Sequence, residues 1–240
     1  MLNKVKSLKI LNIILGILKK RIELKILKYN KKIMNKLKIK KEDFEQFILL
    51  KELNFKFNLD IKDIDINELD LEDMNLDNDI IEYFNKIKFK NLKVLNLIKN
   101  NISDINEFEN CKLNQLEKLG LGSNKIQNID ILEMVNFKEL KYLDLYKNNI
   151  SDIKVLEKVK FEKLELLNLG ENKITDINVL EKVNFKELKQ LGLHKNNISD
   201  IKVLEKVKFE KLELLNLGGN KINKIQNNLI ISKMKSILKI

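Results

Sequence analysis

The sequence predicts an α/β fold, a leucine-containing solenoid of stacked units with a parallel inner sheet and short outer helices. Three observations support it. Six copies of a 24-residue unit follow one another without insertion, starting at Phe89, Leu113, Phe137, Phe161, Phe185 and Phe209. Each copy carries the frame L-x-x-L-x-L-x-x-N-x-I, and its second half has a different apolar spacing. Self-similarity at a fixed period in this range is typical of stacked repeats.

The first half of each unit predicts a short strand. In the first copy, Leu95 and Leu97 alternate with Val94 and Asn96, so the two sets of side chains point to opposite faces. A single short strand cannot bury its apolar side alone, whereas strands stacked in parallel form a continuous core of Leu. The side chains of the other set then line the inner face.

An Asn recurs where the chain leaves each strand, at Asn100, Asn124, Asn148, Asn172, Asn196 and Asn220. Because an amide both donates and accepts, a column of these side chains can satisfy backbone groups at the turns. Leaving such groups unpaired would cost about 1–3 kcal/mol each. We therefore predict a structural role for the Asn column and no catalytic one.

The second half of each unit predicts a short helix or 3₁₀ turn on the outer surface. In the third copy, Ile153, Leu156 and Val159 are spaced three apart. Ser151 or Asp152 can cap the start of this element. Strand and helical turn together predict a curved solenoid with the strands on the inner, concave side.

The frame resembles the leucine-rich repeat over residues 64–231. The strand-plus-turn unit is similar to the subclass found in internalins and in the leucine-rich regulatory proteins of protein phosphatase 1, although 24 residues is slightly longer than the usual unit of that subclass. The resemblance implies a non-catalytic protein-binding scaffold that uses its concave face. An alternative that it also implies is a regulatory subunit of a protein phosphatase.

The two ends of the repeat domain, residues 59–240, are irregular. Residues 64–88 are predicted to form a first repeat in which Met74 takes the Asn position, with 26 residues to the next unit. Residues 229–240 are predicted to form a terminal helix that covers the last strand, or else a truncated further repeat.

Residues 1–58 are predicted to form a basic helical cap. They contain 16 Lys and Arg against 5 Asp and Glu, whereas residues 59–240 contain 30 of each kind. Val5, Leu8 and Leu11 lie on one helical stripe with Lys around it. A cap of this kind covers the open end of a repeat stack. The local excess of positive charge predicts an acidic partner or a membrane surface for this segment.

An alternative for the same segment is an F-box, carried by the stretch SLKILNIILGILKKRIELKILKYNKKIMNKL. This stretch resembles the motif in outline, with an apolar helix, a basic turn and a second apolar helix, but it lacks the Leu-Pro opening and the Trp common in F-boxes. The resemblance implies a substrate receptor of a ubiquitin ligase. Its adaptor would dock on Leu11, Ile14, Leu15 and Leu18.

The sequence disfavours catalysis, and we predict no catalytic residues, no metal site and no cofactor. His194 is the only His, so neither a His-containing triad nor a multi-histidine metal site can be built. Gly120 and Gly122 lack the third Gly of a dinucleotide motif. Cys111 is the only Cys and is expected to pack as a small apolar residue.

The sequence also bears on nucleic-acid binding, membrane insertion and cellular location. Nucleic acid is disfavoured, because the repeat region is neutral and the basic segment has few aromatic residues that could stack on bases. The apolar run from Ile10 to Leu18 is too short to span a bilayer and lacks a signal-peptide cleavage site. We therefore expect no transmembrane segment and an intracellular location, cytoplasmic or nuclear.

The inner face provides the candidate site. Residues 137–174 and 185–222 are nearly identical and differ at four positions only: Tyr142/Gln190, Asp144/Gly192, Tyr146/His194 and Glu171/Gly219. Three of these lie on the predicted inner strand face and the fourth just past it, while the outer Lys and Glu residues are unchanged. We therefore predict a protein-binding surface made of Tyr142, Asp144, Tyr146, Leu166, Asn168, Gln190 and His194.

Overall fold

The computed structural model describes residues 40–223, 228, 232 and 238–239. The F-box-like stretch, its docking candidates Leu11, Ile14, Leu15 and Leu18, and the helices predicted before residue 40 lie outside the described residues. The described chain falls into two compact units. Residues 40–64 with Lys86–Lys88 belong to the first, and Asp65–Asn85 with the residues from Phe89 onward belong to the second.

The first unit contains one helix, α1, Lys41–Phe57. Acidic residues in its first turn and Lys56 in its last complement the helix dipole. The helix ends where Asn58 adopts a left-handed conformation with φ 52° and donates its backbone N–H to the carbonyl of Asn54. The Asn54 side chain then bonds both backbone groups of Ile61. The capping role of residues 1–58 stays a prediction.

The second unit is built on a parallel sheet in which each strand pairs with the next strand of the chain. The strands are β1 Glu68–Asp70, β2 Val94–Asn96, β3 Lys118–Gly120, β4 Tyr142–Asp144, β5 Leu166–Asn168, β6 Gln190–Gly192, β7 Leu214–Asn216 and β8 Leu238–Lys239. The central Leu of each strand from β2 to β7 is fully buried. The predicted leucine-rich-repeat solenoid is confirmed.

The return half is helical, as predicted, in every repeat before the one that starts at Phe209, whose return half lies largely outside the described residues. The first repeat uses an α-helix, α2 Asp79–Lys86, and the later ones use 3₁₀ helices: η1 Asn106–Asn110, η2 Asp130–Glu133, η3 Lys154–Glu157, η4 Asn178–Glu181 and η5 Lys202–Glu205. The carboxylate of Asp152 accepts the backbone N–H of Lys154 at 2.8 Å, so Asp152 satisfies a donor at the start of η3. The buried Val155 and Leu156 face the core from this side.

The Asn column satisfies the turns in the way that the sequence predicted. Asn172 Nδ2 donates to the carbonyls of Leu169 at 3.1 Å and Leu145 at 2.9 Å, and its Oδ1 accepts the N–H of Ile150 at 3.0 Å. Each Asn therefore bonds its own turn and the turn of the preceding repeat. Met74 cannot make these bonds, and its side chain is exposed in the first repeat.

Few residues of the predicted terminal helix over 229–240 are described. Ser232 is helical, whereas Leu238–Lys239 form β8, whose Leu238 is in register with Leu215 of β7. The helix prediction is therefore wrong for these last two residues. The physical reason is that β7 would otherwise present an unpaired strand edge, which a parallel strand satisfies. No helix among the described residues is long and apolar enough to cross a membrane.

Candidate functional site

All seven candidate residues lie on one face of the sheet. We call this surface the sheet face: it carries the first and third residues of each strand and the residue two positions beyond the strand. β4 supplies Tyr142 and Asp144, β5 supplies Leu166 and Asn168, β6 supplies Gln190, and the segments after β4 and β6 supply Tyr146 and His194.

Strand register brings one row of candidates together. Tyr142 is paired with Leu166, and Leu166 is paired with Gln190. Adjacent strands lie about 4.8 Å apart, so these three side chains are lateral neighbours. Tyr142 and Leu166 are half-buried and Gln190 is exposed. The middle of the sheet face is thus a partly apolar surface with a polar edge toward β6.

A second row is formed by Tyr146 and His194, which come from strands that are not neighbours. Their rings stack with centroids 5.7 Å apart and an interplanar angle of 26°. Gly170 lies between them in the repeat, and a Cβ on Gly170 would come within 2.2 Å of His194 Cε1. The His194 ring therefore lies over Gly170, and only a residue without a side chain leaves room for this arrangement.

Two residues just past the strands, Glu171 and Lys195, lie near the hydroxyl of Tyr146. Burial and a hydrogen bond to Glu171 raise the pKa of Tyr146. Hydrogen bonds from Lys195 and Tyr146 lower the pKa of Glu171. Lys195 forms an ion pair with Glu171. The Tyr146 side chain therefore has the His194 ring on one side and the Glu171–Lys195 ion pair near its hydroxyl.

Asp144 is the buried charged residue of the sheet face, with 7% of its surface exposed. Its Oδ1 accepts the backbone N–H of Tyr146 at 2.9 Å, and the side chain of Asn168 also donates to the carboxylate. Burial raises its pKa above the usual range of an aspartate, against these hydrogen bonds. Among the described residues, no Lys or Arg forms an ion pair with it. The carboxylate lies against Gly122, where a Cβ would come within 3.0 Å of Oδ2.

The third residue of most strands has a local structural role that the sequence reasoning missed. Asn168 Oδ1 accepts the N–H of Gly170 at 3.2 Å, two residues ahead. Asp70, Asn96 and Asn216 make the same bond at the ends of β1, β2 and β7. Part of the hydrogen-bonding capacity of Asn168 is therefore used within the chain, which leaves less of it for a partner.

His194 is held by stacking, since its ring makes little use of hydrogen bonds. Its Nδ1 atom is buried and has no hydrogen-bond partner among the described residues. Burying such an atom without a partner costs free energy.

The four differences between the near-duplicate blocks are contiguous in space. In the first block, the backbone N–H of Tyr146 donates to Asp144, Glu171 acts on the hydroxyl of Tyr146, and the charge of Asp144 acts on Tyr142. Tyr146 also stacks on His194, its counterpart in the second block. The positions at which the blocks diverge therefore form one cluster, which we call the tyrosine cluster: Tyr142, Asp144, Tyr146 and Glu171. Sequence reasoning had left Glu171 outside the site.

Two other kinds of site, a metal centre and a reactive thiol, are not found among the described residues. No group of three or more His, Cys, Asp or Glu within this part of the chain is placed to hold a metal ion. Cys111 is buried, donates from Sγ to Asn85 Oδ1 at 2.7 Å, and has its pKa raised to about 12 by burial. A thiol with such a pKa stays protonated at neutral pH, so Cys111 packs as an apolar residue, as predicted.

Comparison with known proteins supports the repeat class. Residues 138–182 match the family model described as leucine rich repeats, two copies. No curated protein matches the chain. The match to the family model covers the tyrosine cluster itself.

Solved structures with the same fold include two internalins of Listeria monocytogenes. InlF is 29% identical with a TM-score of 0.55, and the match covers 74% of this chain and 48% of that chain. Internalin C2 is 23% identical with a TM-score of 0.54, covering 80% and 90%. A leucine-rich-repeat protein of Leptospira interrogans is 23% identical with a TM-score of 0.50, covering 66% and 45%. This chain thus spans about half the length of InlF, and the predicted similarity to internalins is confirmed.

Proposed function

We propose that this protein is a non-catalytic protein-binding scaffold whose sheet face receives a protein partner. The observation that carries the proposal is the tyrosine cluster: two blocks of 38 residues differ at four positions, of which three lie on this face and the fourth, Glu171, lies just past it beside Tyr146. Exposed positions on the 3₁₀ side of the same blocks, such as Lys158 and Lys206, are identical.

The dimensions of the sheet face fit this role. Seven strands at about 4.8 Å give a surface about 30 Å long, comparable to the span of a standard protein interface. Repeat proteins commonly use such surfaces for binding, since each repeat adds a few side chains to one extended face.

The composition of the tyrosine cluster fits the centre of an interface. Tyr142 and Tyr146 offer large ring surfaces with few rotatable bonds, and Leu166 adds an apolar contact beside Tyr142. Aromatic side chains near the middle of a face are typical of residues that contribute most of the binding free energy. Because Tyr146 is already held by His194 and Glu171, little conformational entropy is lost when it binds.

The proposal is tested by affinity capture followed by titration. The wild-type chain and three variants, Tyr142→Ala, Tyr146→Ala and the outer-face control Lys158→Ala, are immobilised and exposed to a lysate of the source cells. A captured protein is then purified and titrated against each chain. We expect Lys158→Ala to bind this partner like the wild type and both Tyr variants to bind it more weakly. A partner that binds all four chains equally would contradict it.

A second candidate function is an F-box-like substrate receptor of a ubiquitin ligase, and it rests on the resemblance of the N-terminal stretch alone. We expect residues 1–58, produced as an isolated segment, to bind an adaptor of the ubiquitin-ligase type if this function holds. Loss of thermal stability on deletion of residues 1–58, with no adaptor binding by the segment, would favour the cap instead. The phosphatase-regulating role and the intracellular location stay predictions.

A further inference from the structure

We propose that Tyr142, Asp144 and Tyr146 together form a receptor site for a cationic side chain, Lys or Arg, presented by the partner polypeptide. This inference rests on the proposed function, since it names the chemistry that the sheet face recognises. The three residues alternate along β4 and the residues after it, so all three side chains project to the sheet face with about 7 Å between successive positions.

The geometry combines two attractions for one cation. A Lys ammonium or Arg guanidinium is drawn to the face of an aromatic ring within about 6 Å of its centroid. Here Asp144 lies between the two Tyr residues along the chain, and its charge acts on both. A cation that approaches Asp144 from the sheet face would therefore meet a carboxylate with a Tyr side chain nearby in each direction along the chain.

The charge of Asp144 lacks a counterion in the described part of the chain, unlike that of other carboxylates nearby. Glu171 is paired with Lys195, and Glu117 lies 2.9 Å from the Nζ of Lys93 and 2.7 Å from that of Lys141. Asp144 is more buried than either and has only hydrogen bonds. Because burial without an opposite charge disfavours the ionised form, a cation from a partner would stabilise it.

The second block provides a comparison within the same molecule. Gln190, Gly192 and His194 occupy the equivalent positions on the same backbone arrangement, without a carboxylate and without a Tyr pair. The two blocks therefore present one site with a buried carboxylate flanked in sequence by two Tyr residues and one site without either feature. We expect the cationic preference to belong to β4 alone.

The substitution Asp144→Asn isolates the charge. Asn96, Asn168 and Asn216 already occupy this position in other repeats and make the same bond to the N–H two residues ahead. An Asn at position 144 therefore keeps the turn and removes only the negative charge. Asp70→Asn is a matched control. The Asp70 carboxylate at the end of β1 accepts the N–H of Glu72 in the same way, and it lies outside the tyrosine cluster.

The test uses the full chain and a displayed library of random 12-residue peptides as the probe. Peptides are selected on the wild-type chain, and the best of them is synthesised with its Lys or Arg intact and with that residue replaced by norleucine. We expect enrichment of Lys and Arg beside apolar residues. We also expect Asp144→Asn and the norleucine peptide each to weaken binding by about tenfold, and Asp70→Asn to leave it unchanged.

The outcomes separate this inference from the proposed function. Selected peptides without Lys or Arg, weakened by Tyr142→Ala and Tyr146→Ala but not by Asp144→Asn, would overturn the inference and leave the binding face intact. Peptides that bind equally to the wild type and to both Tyr variants would overturn both. Equal losses in Asp144→Asn and Asp70→Asn would also overturn it, since the effect would then be one of general negative charge.

Discussion

The His194 ring stacks on the Tyr146 ring although β5 separates their strands. The centroids are 5.7 Å apart, whereas two strand spacings amount to about 9.6 Å. The rings meet because Gly170, on the intervening repeat, has no side chain to keep them apart. The same position alternates between large residues and Gly along the sheet, in the order Ile98, Gly122, Tyr146, Gly170, His194 and Gly218. This one column of the sheet face thus alternates with a period of 48 residues rather than 24.

The first prediction concerns this stack. Gly170→Ala places a Cβ against the His194 ring and should destabilise the protein by about 1–3 kcal/mol, because the ring must leave its position. In a His194→Ala background the same change should cost less than about 0.5 kcal/mol, since the space is then open. Chemical denaturation of the four chains in this cycle measures the difference. Equal costs in both backgrounds would show that the ring does not lie over Gly170.

A second prediction compares the core, the Asn column and the outer surface. Leu167→Ala removes a fully buried side chain from the middle of the stack and should cost about 2–5 kcal/mol. Asn172→Ala leaves the N–H of Ile150 without its partner and removes one of the two Asn donors from the carbonyls of Leu145 and Leu169, and it should cost about 1–3 kcal/mol. Lys158→Ala removes an exposed ion pair with Glu133 and should change stability by no more than about 0.5 kcal/mol. Equal denaturation midpoints for the three variants would contradict the structure.

A third prediction concerns pH. Burial raises the folded-state pKa of Asp144, so the folded protein binds this proton more tightly than the unfolded chain does. Stability from this group is present at low pH and is lost as the pH rises through the raised pKa. Wild type should therefore gain stability relative to Asp144→Asn as the pH falls from about 7 toward 3.

Taking the difference between the two chains removes the contribution of other carboxylates. Glu117, for example, has its pKa lowered to about 2 by Lys141 and Lys93, and it is present in both chains. Denaturation midpoints measured in parallel at each pH give the required comparison. A difference that shrinks or stays flat as the pH falls would show that burial does not raise the pKa of Asp144.

Much of the fold could be predicted because each structural position recurs in six copies. The buried Leu, the Asn column and the spacing of Ile153 and Leu156 each follow from local chemistry, and periodicity fixes their register. The stack over Gly170 could not be predicted in this way, because it depends on where the side chain of His194 turns across two strands. The sequence does show that this position alternates between a large residue and Gly with a period of 48 residues. It does not show the ring contact that explains the alternation.

Two further features had no local signal. Residues Leu238–Lys239 continue the sheet although the repeat frame is lost before them, since pairing with the edge of β7 needs only an extended backbone. Glu171 lies one residue beyond the predicted inner face, and its bond with Tyr146 shows only in the folded chain. Both cases involve contacts between repeats, which a frame within one repeat does not contain.

The central claim is that the sheet face, and the tyrosine cluster within it, binds the protein partner. The most direct measurement is a binding titration of the captured partner against Tyr142→Ala and Tyr146→Ala, beside the outer-face controls Lys158→Ala and Lys206→Ala. Each Tyr variant should remain folded and lose about 1–3 kcal/mol of binding free energy, and the controls should bind like the wild type. Binding that is abolished by the Lys changes and kept by the Tyr changes would place the functional surface on the 3₁₀ side of the repeats and contradict the claim.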